Sequence, residues 1–160
     1  MGYTHYYKQP AWNAEDEKGF RDALPAIQDI LKRHKNILRL EYNSDKEPEA
    51  NGERIQFNGM EESGYETFIL ENHLSEFSFC KTAEKPYDVP VCEVLLVLMK
   101  HCPNLQVSSD GFSGYSENPV LKPGWMQAIE NVRKHYGLDY KPEVTIRRER
   151  SCDIRPVLQR

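Results

Sequence analysis

The sequence predicts an α+β fold in a single domain, a mostly antiparallel sheet packed with about three helices. Apolar residues recur at helical spacing in three segments, residues 14–34, 89–101 and 123–136. Short runs rich in Tyr, Phe, Ile, Val and Thr alternate polar and apolar positions, as half-buried strands do. These runs cluster between the helices instead of alternating strictly with them, which favours antiparallel pairing over βαβ units. The chain of 160 residues fits one domain with one core. The domain is placed at residues 1–140, and a basic strand or tail at 141–160.

Taken in order, residues 2–8 are Tyr-rich and read as a strand, with Tyr3, His5 and Tyr7 on one face and Thr4 and Tyr6 on the other. Asn13 caps a helix from Ala14, with Glu15, Asp16 and Glu17 in the favourable first turn. Phe20, Ala23, Leu24, Ile27, Ile30 and Leu31 make its apolar stripe. Pro25 predicts a kink, or two short helices meeting there. Residues 36–42 read as a strand and 43–53 as a turn or loop. Residues 54–58 and 65–71 read as a strand pair, joined by a connection with Gly59 and Gly64 at its ends. Residues 75–80 alternate Phe77 and Phe79 against Ser78 and Cys80, and Phe77 is expected in the core.

Asp88 is expected to cap the central helix, with Pro90 tolerated in its first turn and Val91, Val94, Leu95, Leu98 and Met99 buried. Residues 105–109 read as a strand and 112–119 as a loop. A last helix spans 123–136, with Trp125, Ile129, Val132 and Tyr136 on one face, and Gly137 closes it. Residues 140–148 suit a final strand, and 150–160 a tail or partner-dependent segment.

The formal net charge of −4 argues against nucleic-acid binding by bulk electrostatics. Charge is uneven, however. Residues 41–66 hold eight acids against Lys46 and Arg54, and residues 141–160 hold six bases against Glu143, Glu149 and Asp153. Both blocks read first as solvated surface. The four cysteines form no C-x-x-C pair, and their spacing suits neither a disulfide framework nor a zinc site. The first residues lack the apolar stretch of a signal peptide, and the longest apolar run is about half the ~20 residues of a membrane span. A cytoplasmic protein with reduced thiols and no membrane partner is expected.

The densest polar chemistry lies at residues 79–88, where a strand hands over to a helix. Lys81 and Lys85 supply charge, Thr82 a hydroxyl, Tyr87 a stacking ring and Asp88 a carboxylate. The helix beyond opens backbone N–H groups, so the set suits an anionic, nucleotide-like ligand. The structural alternative has Asp88 as a cap, solvated lysines and Cys80 as a small buried residue. A Cys80 nucleophile lacks a His close in sequence. His5 sits on an aromatic strand, either as a satisfied core histidine or in a stacking wall with Tyr6. Glu66 and Asp110 are the candidate acids, as a pair that binds a metal or does general acid–base work. Residues 108–111 and the Asn58-Gly59 pair read first as turns. No H-x-x-x-H, D-x-D or G-x-G-x-x-G pattern points to a metal or dinucleotide.

Four separated blocks carry a resemblance. They are Gly2-Tyr3-Thr4-His5-Tyr6, Phe57-Asn58-Gly59 with Glu66-Thr67-Phe68, Phe79-Cys80-Lys81-Thr82 with Lys85-Pro86-Tyr87-Asp88, and Val107-Ser108-Ser109-Asp110-Gly111. Together they resemble a family of bacterial and phage proteins that open with Gly-Tyr-Thr-His-Tyr-Trp; here Tyr7 stands in place of the Trp. The resemblance spans residues 2–136, implies one fold and one shared site, and assigns no activity or cofactor. Within a phage-linked family, a binding module is expected to act by sequestering a host signalling nucleotide.

Three functional classes follow. The first is a module binding a small anionic ligand through His5, Tyr6, Asn58, Glu66, Thr67, Lys81, Thr82, Lys85, Tyr87, Asp88 and Asp110. The second is a small hydrolase or transferase using Glu66, Asp110 and His5 on a phosphate-bearing substrate. The third is a protein-interaction module using the acidic loop and the basic tail.

Overall fold

The computed structural model describes residues 2–115, 118–146 and 154–158. Its centre is the helix α2 (Asp88–His101), apolar nearly all round and buried from Pro90 to Met99. A helix of this composition has no face to offer water, so other elements must enclose it. Against it pack α1 (Ala14–Arg33) and α3 (Pro123–Tyr136). Ile27, Leu31, Val91, Leu95, Leu98 and Trp125 join one core, with Ile129 partly buried against it.

Strand β1 (Thr4–Gln9) lies between two antiparallel partners, β6 (Ser75–Lys81) and β7 (Gln106–Ser109). A second sheet forms around β4 (Arg54–Gly59), which pairs antiparallel with β2 (Leu38–Arg39), β3 (Glu49–Ala50) and β5 (Phe68–Glu71). Two hairpins complete the described chain, β8 (Phe112–Tyr115) with β9 (Asn118–Leu121) and β10 (Tyr140–Ile146) with β11 (Ile154–Leu158). The fold is thus α+β with antiparallel sheets. Among the described residues, no helix is long and apolar enough to cross a membrane.

Several expectations need correcting. Pro25 lies inside one continuous helix and not between two short ones, because Phe20, Ala23, Ile27 and Ile30 are buried on both sides of it. Burying Phe20, Ile27 and Ile30 is worth roughly 1.5–3 kcal/mol each, which together outweighs the ~3 kcal/mol cost of an interior proline. Asn13 does cap α1, in a reciprocal box with Asp16. Asp88 does not cap α2: it is the first helical residue, Tyr87 occupies the cap position, and the carboxylate turns inward. Phe77 is outside the core, since β6 turns Cys80 inward and leaves Phe77 and Phe79 exposed. The strand in residues 36–42 shrinks to β2, and the loop at 43–53 contains β3. Residues 112–119, read as loop, contribute to a hairpin, and β11 occupies much of the expected tail. Arg160 and residues 147–153, with Cys152 among them, lie outside the described residues.

Candidate binding site

Alternation along β1 sends Tyr3, His5 and Tyr7 to the face toward α2 and Thr4, Tyr6 and Lys8 to the other. His5 is completely buried there. Its Nδ1 meets Ser109 Oγ at 2.7 Å and its Nε2 meets Asp88 Oδ1 at 2.6 Å. Ser109 Oγ also accepts N–H groups from Gly111 at 2.8 Å and from the Trp125 indole at 2.9 Å. Those two donors occupy both lone pairs of the hydroxyl, so Ser109 donates its own hydrogen to Nδ1. The ring hydrogen therefore sits on Nε2 and is donated to Asp88. Thr82 donates a second hydrogen bond to the same Asp88 oxygen at 2.6 Å. Tyr3 and Trp125 bracket the imidazole edge-on, at 5.3 and 5.2 Å between ring centroids.

Two glycines admit this arrangement. A Cβ on Gly124 would overlap Asp88 Oδ2, and one on Gly111 would overlap the Tyr3 hydroxyl. That hydroxyl is the one buried side-chain polar atom without a hydrogen-bond partner among the described residues.

His5, Asp88 and Cys92 each offer a ligand atom within 4.8 Å of the others, a spacing a metal could use. Nε2, however, is committed as a donor to Asp88. Burial, with the Asp88 carboxylate nearby, also pushes the Cys92 thiol well up from its ordinary range. The set as it stands is a closed donor–acceptor network. Cys80 is likewise buried, and burial pushes it up to about 12, which leaves it a thiol at neutral pH and a poor nucleophile.

Outside this network the remaining expected residues form a second layer. Tyr87 is fully buried, and its hydroxyl donates to the carbonyl of Glu66, so it has no open face on which a base could stack. Asn58 is buried and works on backbone. Its side chain accepts from the N–H groups of Gly59 and Tyr65, and donates to the Tyr65 carbonyl and the Thr67 hydroxyl. It thereby fixes the loop at residues 59–65, whose ends touch so closely that a Cβ on Gly59 or Gly64 would overlap the opposing backbone. Glu66 accepts from the Lys81 N–H at 2.7 Å, and Asp110 from the Thr4 N–H at 3.0 Å.

These two contacts settle where the acids lie. Glu66 pairs along the outer edge of β6, and Asp110 pairs with β1 on the side of β7. Their backbones are three strand spacings apart, roughly 14 Å at about 4.8 Å each, with two strands between them. They do not form a carboxylate pair. Asp110 also accepts from the Tyr6 hydroxyl at 3.4 Å.

The loop that Asn58 fixes borders an open cleft of 520 Å³, lined by Tyr42, Asn43, Glu61, Glu62, Gly64, Tyr65, Glu66 and Lys85. Tyr42 and Tyr65 are 59% and 49% exposed, so their rings are accessible. Lys81 sits beside the cleft, with Nζ 5.7 Å from the centroid of the Tyr65 ring. Among the described residues, four other than glycine hold a left-handed backbone: Asn43 at φ 59°, Glu61 at 52°, Ala83 at 52° and Glu84 at 56°. The first two line the cleft and the second two precede Lys85. Such conformations cost about 1–2 kcal/mol each and persist where surrounding contacts hold them. Here Thr82 and Ala83 both donate backbone N–H to the Tyr3 carbonyl, and Lys85 donates back to Thr82.

Of the expected site, the structure joins His5, Thr82 and Asp88 inside the protein, and Glu66 with Lys85 at the cleft, with Lys81 beside it. Asn58 and Thr67 support the cleft loop from behind. Sequence reading missed Tyr42, Asn43, Glu61, Glu62 and Tyr65, which sit in the acidic block taken as plain surface. It also missed Cys92, one helical turn beyond Asp88, and the joint role of Ser109 and Trp125. Compared with protein-family models, curated proteins and solved structures, the chain gives no match.

Proposed function

We propose that the protein is a binding module for a small nucleotide-like ligand held in the Tyr42–Tyr65 cleft. The observation that carries this reading is the composition of that cleft: two exposed tyrosines, three carboxylates and Lys85 around 520 Å³. The volume lies within the range of about 300–1,000 Å³ usual for small-ligand pockets. A base stacks on the tyrosines. Its amino groups and the ribose hydroxyls are donors, which suits Glu61, Glu62 and Glu66 as acceptors. The phosphate goes to Lys85 and Lys81. Binding without turnover is the simplest role, since Glu66 and Asp110 lie apart and the Cys80 thiol is buried. Sequestration of a nucleotide in phage–host conflict is the matching biological role.

A second reading has one observation in its favour. Carboxylates outnumber lysines three to one in the lining, so a cationic ligand such as a polyamine or a basic peptide also suits the cleft.

Titration calorimetry with nucleoside monophosphates and with spermidine separates the two. For the nucleotide reading, Lys85→Ala and Lys81→Ala should each weaken binding about tenfold to a hundredfold, as loss of a charge-assisted contact does. Tyr65→Ala should weaken it as well. Binding of spermidine alone, lost in Glu61→Gln and Glu62→Gln, would replace the nucleotide reading with the cationic one. Chromatography of the recovered ligand decides catalysis: an altered nucleotide would make the protein an enzyme.

A further inference from the structure

The outer face of the β6-β1-β7 sheet bears aromatic rings where water-facing polar residues are the rule. Register places Tyr6 opposite Phe79 and Thr4 opposite Lys81, so Phe77, Phe79 and Lys81 share a face with Thr4, Tyr6 and Lys8. Phe77 and Phe79 are 57% and 53% exposed. Their ring centroids are 5.8 Å apart, and Phe77 stacks on Tyr6 at 6.1 Å with 28° between the planes. A row of rings thus spans two of the three strands, β6 and β1. Two exposed phenylalanines on a strand that could have carried Ser or Thr at the same positions need an explanation beyond packing.

The residues beside the rings indicate the kind of partner. Lys8 and Lys81 flank the row on the same face. Of the carboxylates beside this sheet, Asp110 accepts from the Thr4 N–H and the Tyr6 hydroxyl, and Glu66 accepts from the Lys81 N–H. Strand β11, which packs beside β7, has one base, Arg155, and no acid in its sequence. A surface for another folded protein would gain most from a continuous apolar patch. Rings interleaved with ammonium groups suit unpaired bases, whose faces stack while the phosphates between them meet the lysines. The net charge of −4 gives no bulk attraction for nucleic acid, so binding here must come from the rings and the two lysines.

We propose that this sheet face is a stacking platform for single-stranded nucleic acid, with Phe77 and Phe79 as the base-stacking rings and Lys8 and Lys81 as the phosphate contacts. It is a different surface from the Tyr42–Tyr65 cleft and shares only Lys81 with it, so either can fail without the other.

The test is fluorescence anisotropy of a labelled oligothymidylate of about twelve nucleotides titrated with the full chain, at salt from about 50 to 200 mM. Single-strand binding that weakens with salt is expected, with a duplex of the same length bound less tightly. Phe77→Ala and Phe79→Ala should each reduce affinity about tenfold or more. Both side chains are exposed, so the variants should melt as the wild type does. Lys8→Ala should lower the slope of log affinity against log salt by about one. Three results would overturn the proposal: no binding at the lowest salt, equal binding by both phenylalanine variants, or a concentration-dependent dimer in sedimentation that those variants abolish. The last would make the face a self-association surface.

Discussion

Ser109 is a single hydroxyl on which four parts of the chain depend. It takes hydrogens from Gly111 and Trp125 and gives its own to His5, which in turn holds Asp88 at the head of α2. Ser109→Ala would leave three buried groups without their partner. Each buried group left unpaired costs roughly 1–3 kcal/mol, so a loss of about 3 kcal/mol or more in urea unfolding is expected. A loss under about half a kcal/mol would show that the network is not closed as described. Half of this network was legible in the sequence. Strand alternation alone places Tyr3, His5 and Tyr7 on one side, and the structure keeps them there. The other half was not, because the Ser109 role needs His5, 104 positions away, and Trp125, which lies on α3. No local pattern marks a serine as acceptor to an indole, and a Ser-Ser-Asp-Gly run looks like any turn.

At the scale of elements, sequence pattern and structure part where burial overrides local preference. The helical stripe of α1 was readable, and its capping box at Asn13 and Asp16 formed as the residue types suggest. The break at Pro25 did not form, because the stripe on either side packs into one core. That leaves a testable residue of the conflict. Pro25 is exposed, and it lacks the N–H that would bond within the helix. Pro25→Ala should therefore stabilise the protein, by about 1–3 kcal/mol, read as a higher urea midpoint with an unchanged slope. An unchanged midpoint would mean that the helix has already adapted at no cost. Strand β6 gives the opposite lesson. Its alternation is legible in the sequence and its phase is not, since Phe has far more apolar surface to bury than Cys or Ser. Only the register with β1, which sets Cys80 opposite the buried His5, decides which side turns inward. The cleft residues were hidden for a related reason: a block of acids has no period, and its shape comes from Asn58 and the paired glycines behind it.

Across the whole molecule, the three helices are tied by one buried carboxylate, little more than one turn beyond Asp88 along α2. Glu93 of α2 accepts from His34 at 2.9 Å, from Asn131 of α3 at 2.9 Å and from the Arg33 guanidinium of α1. The Tyr136 hydroxyl on α3 accepts from Arg33 at 3.0 Å and donates to Asp29 at 2.7 Å. Burial alone would raise the pKa of Glu93. The hydrogen bonds from His34, Asn131 and Arg33 outweigh it and hold the carboxyl below its ordinary range. The sign of the pH effect follows. A carboxyl whose folded value is depressed binds protons less readily in the folded than in the unfolded state. Its contribution to stability is complete above the unfolded value, about 4.3, and is lost as pH falls through the lower folded value. Urea unfolding at steps from pH 7 to about pH 3 should therefore show a stability that falls once the pH drops below that of an unfolded glutamate. Glu93→Gln removes the charge and leaves Arg33 without its buried partner. It should cost about 3–5 kcal/mol at pH 7 and flatten the acid limb of the profile. A variant that loses stability at pH 7 but keeps the wild-type acid slope would assign that slope to other carboxylates, and the helices would then be held by apolar packing with Glu93 as a bystander to the titration.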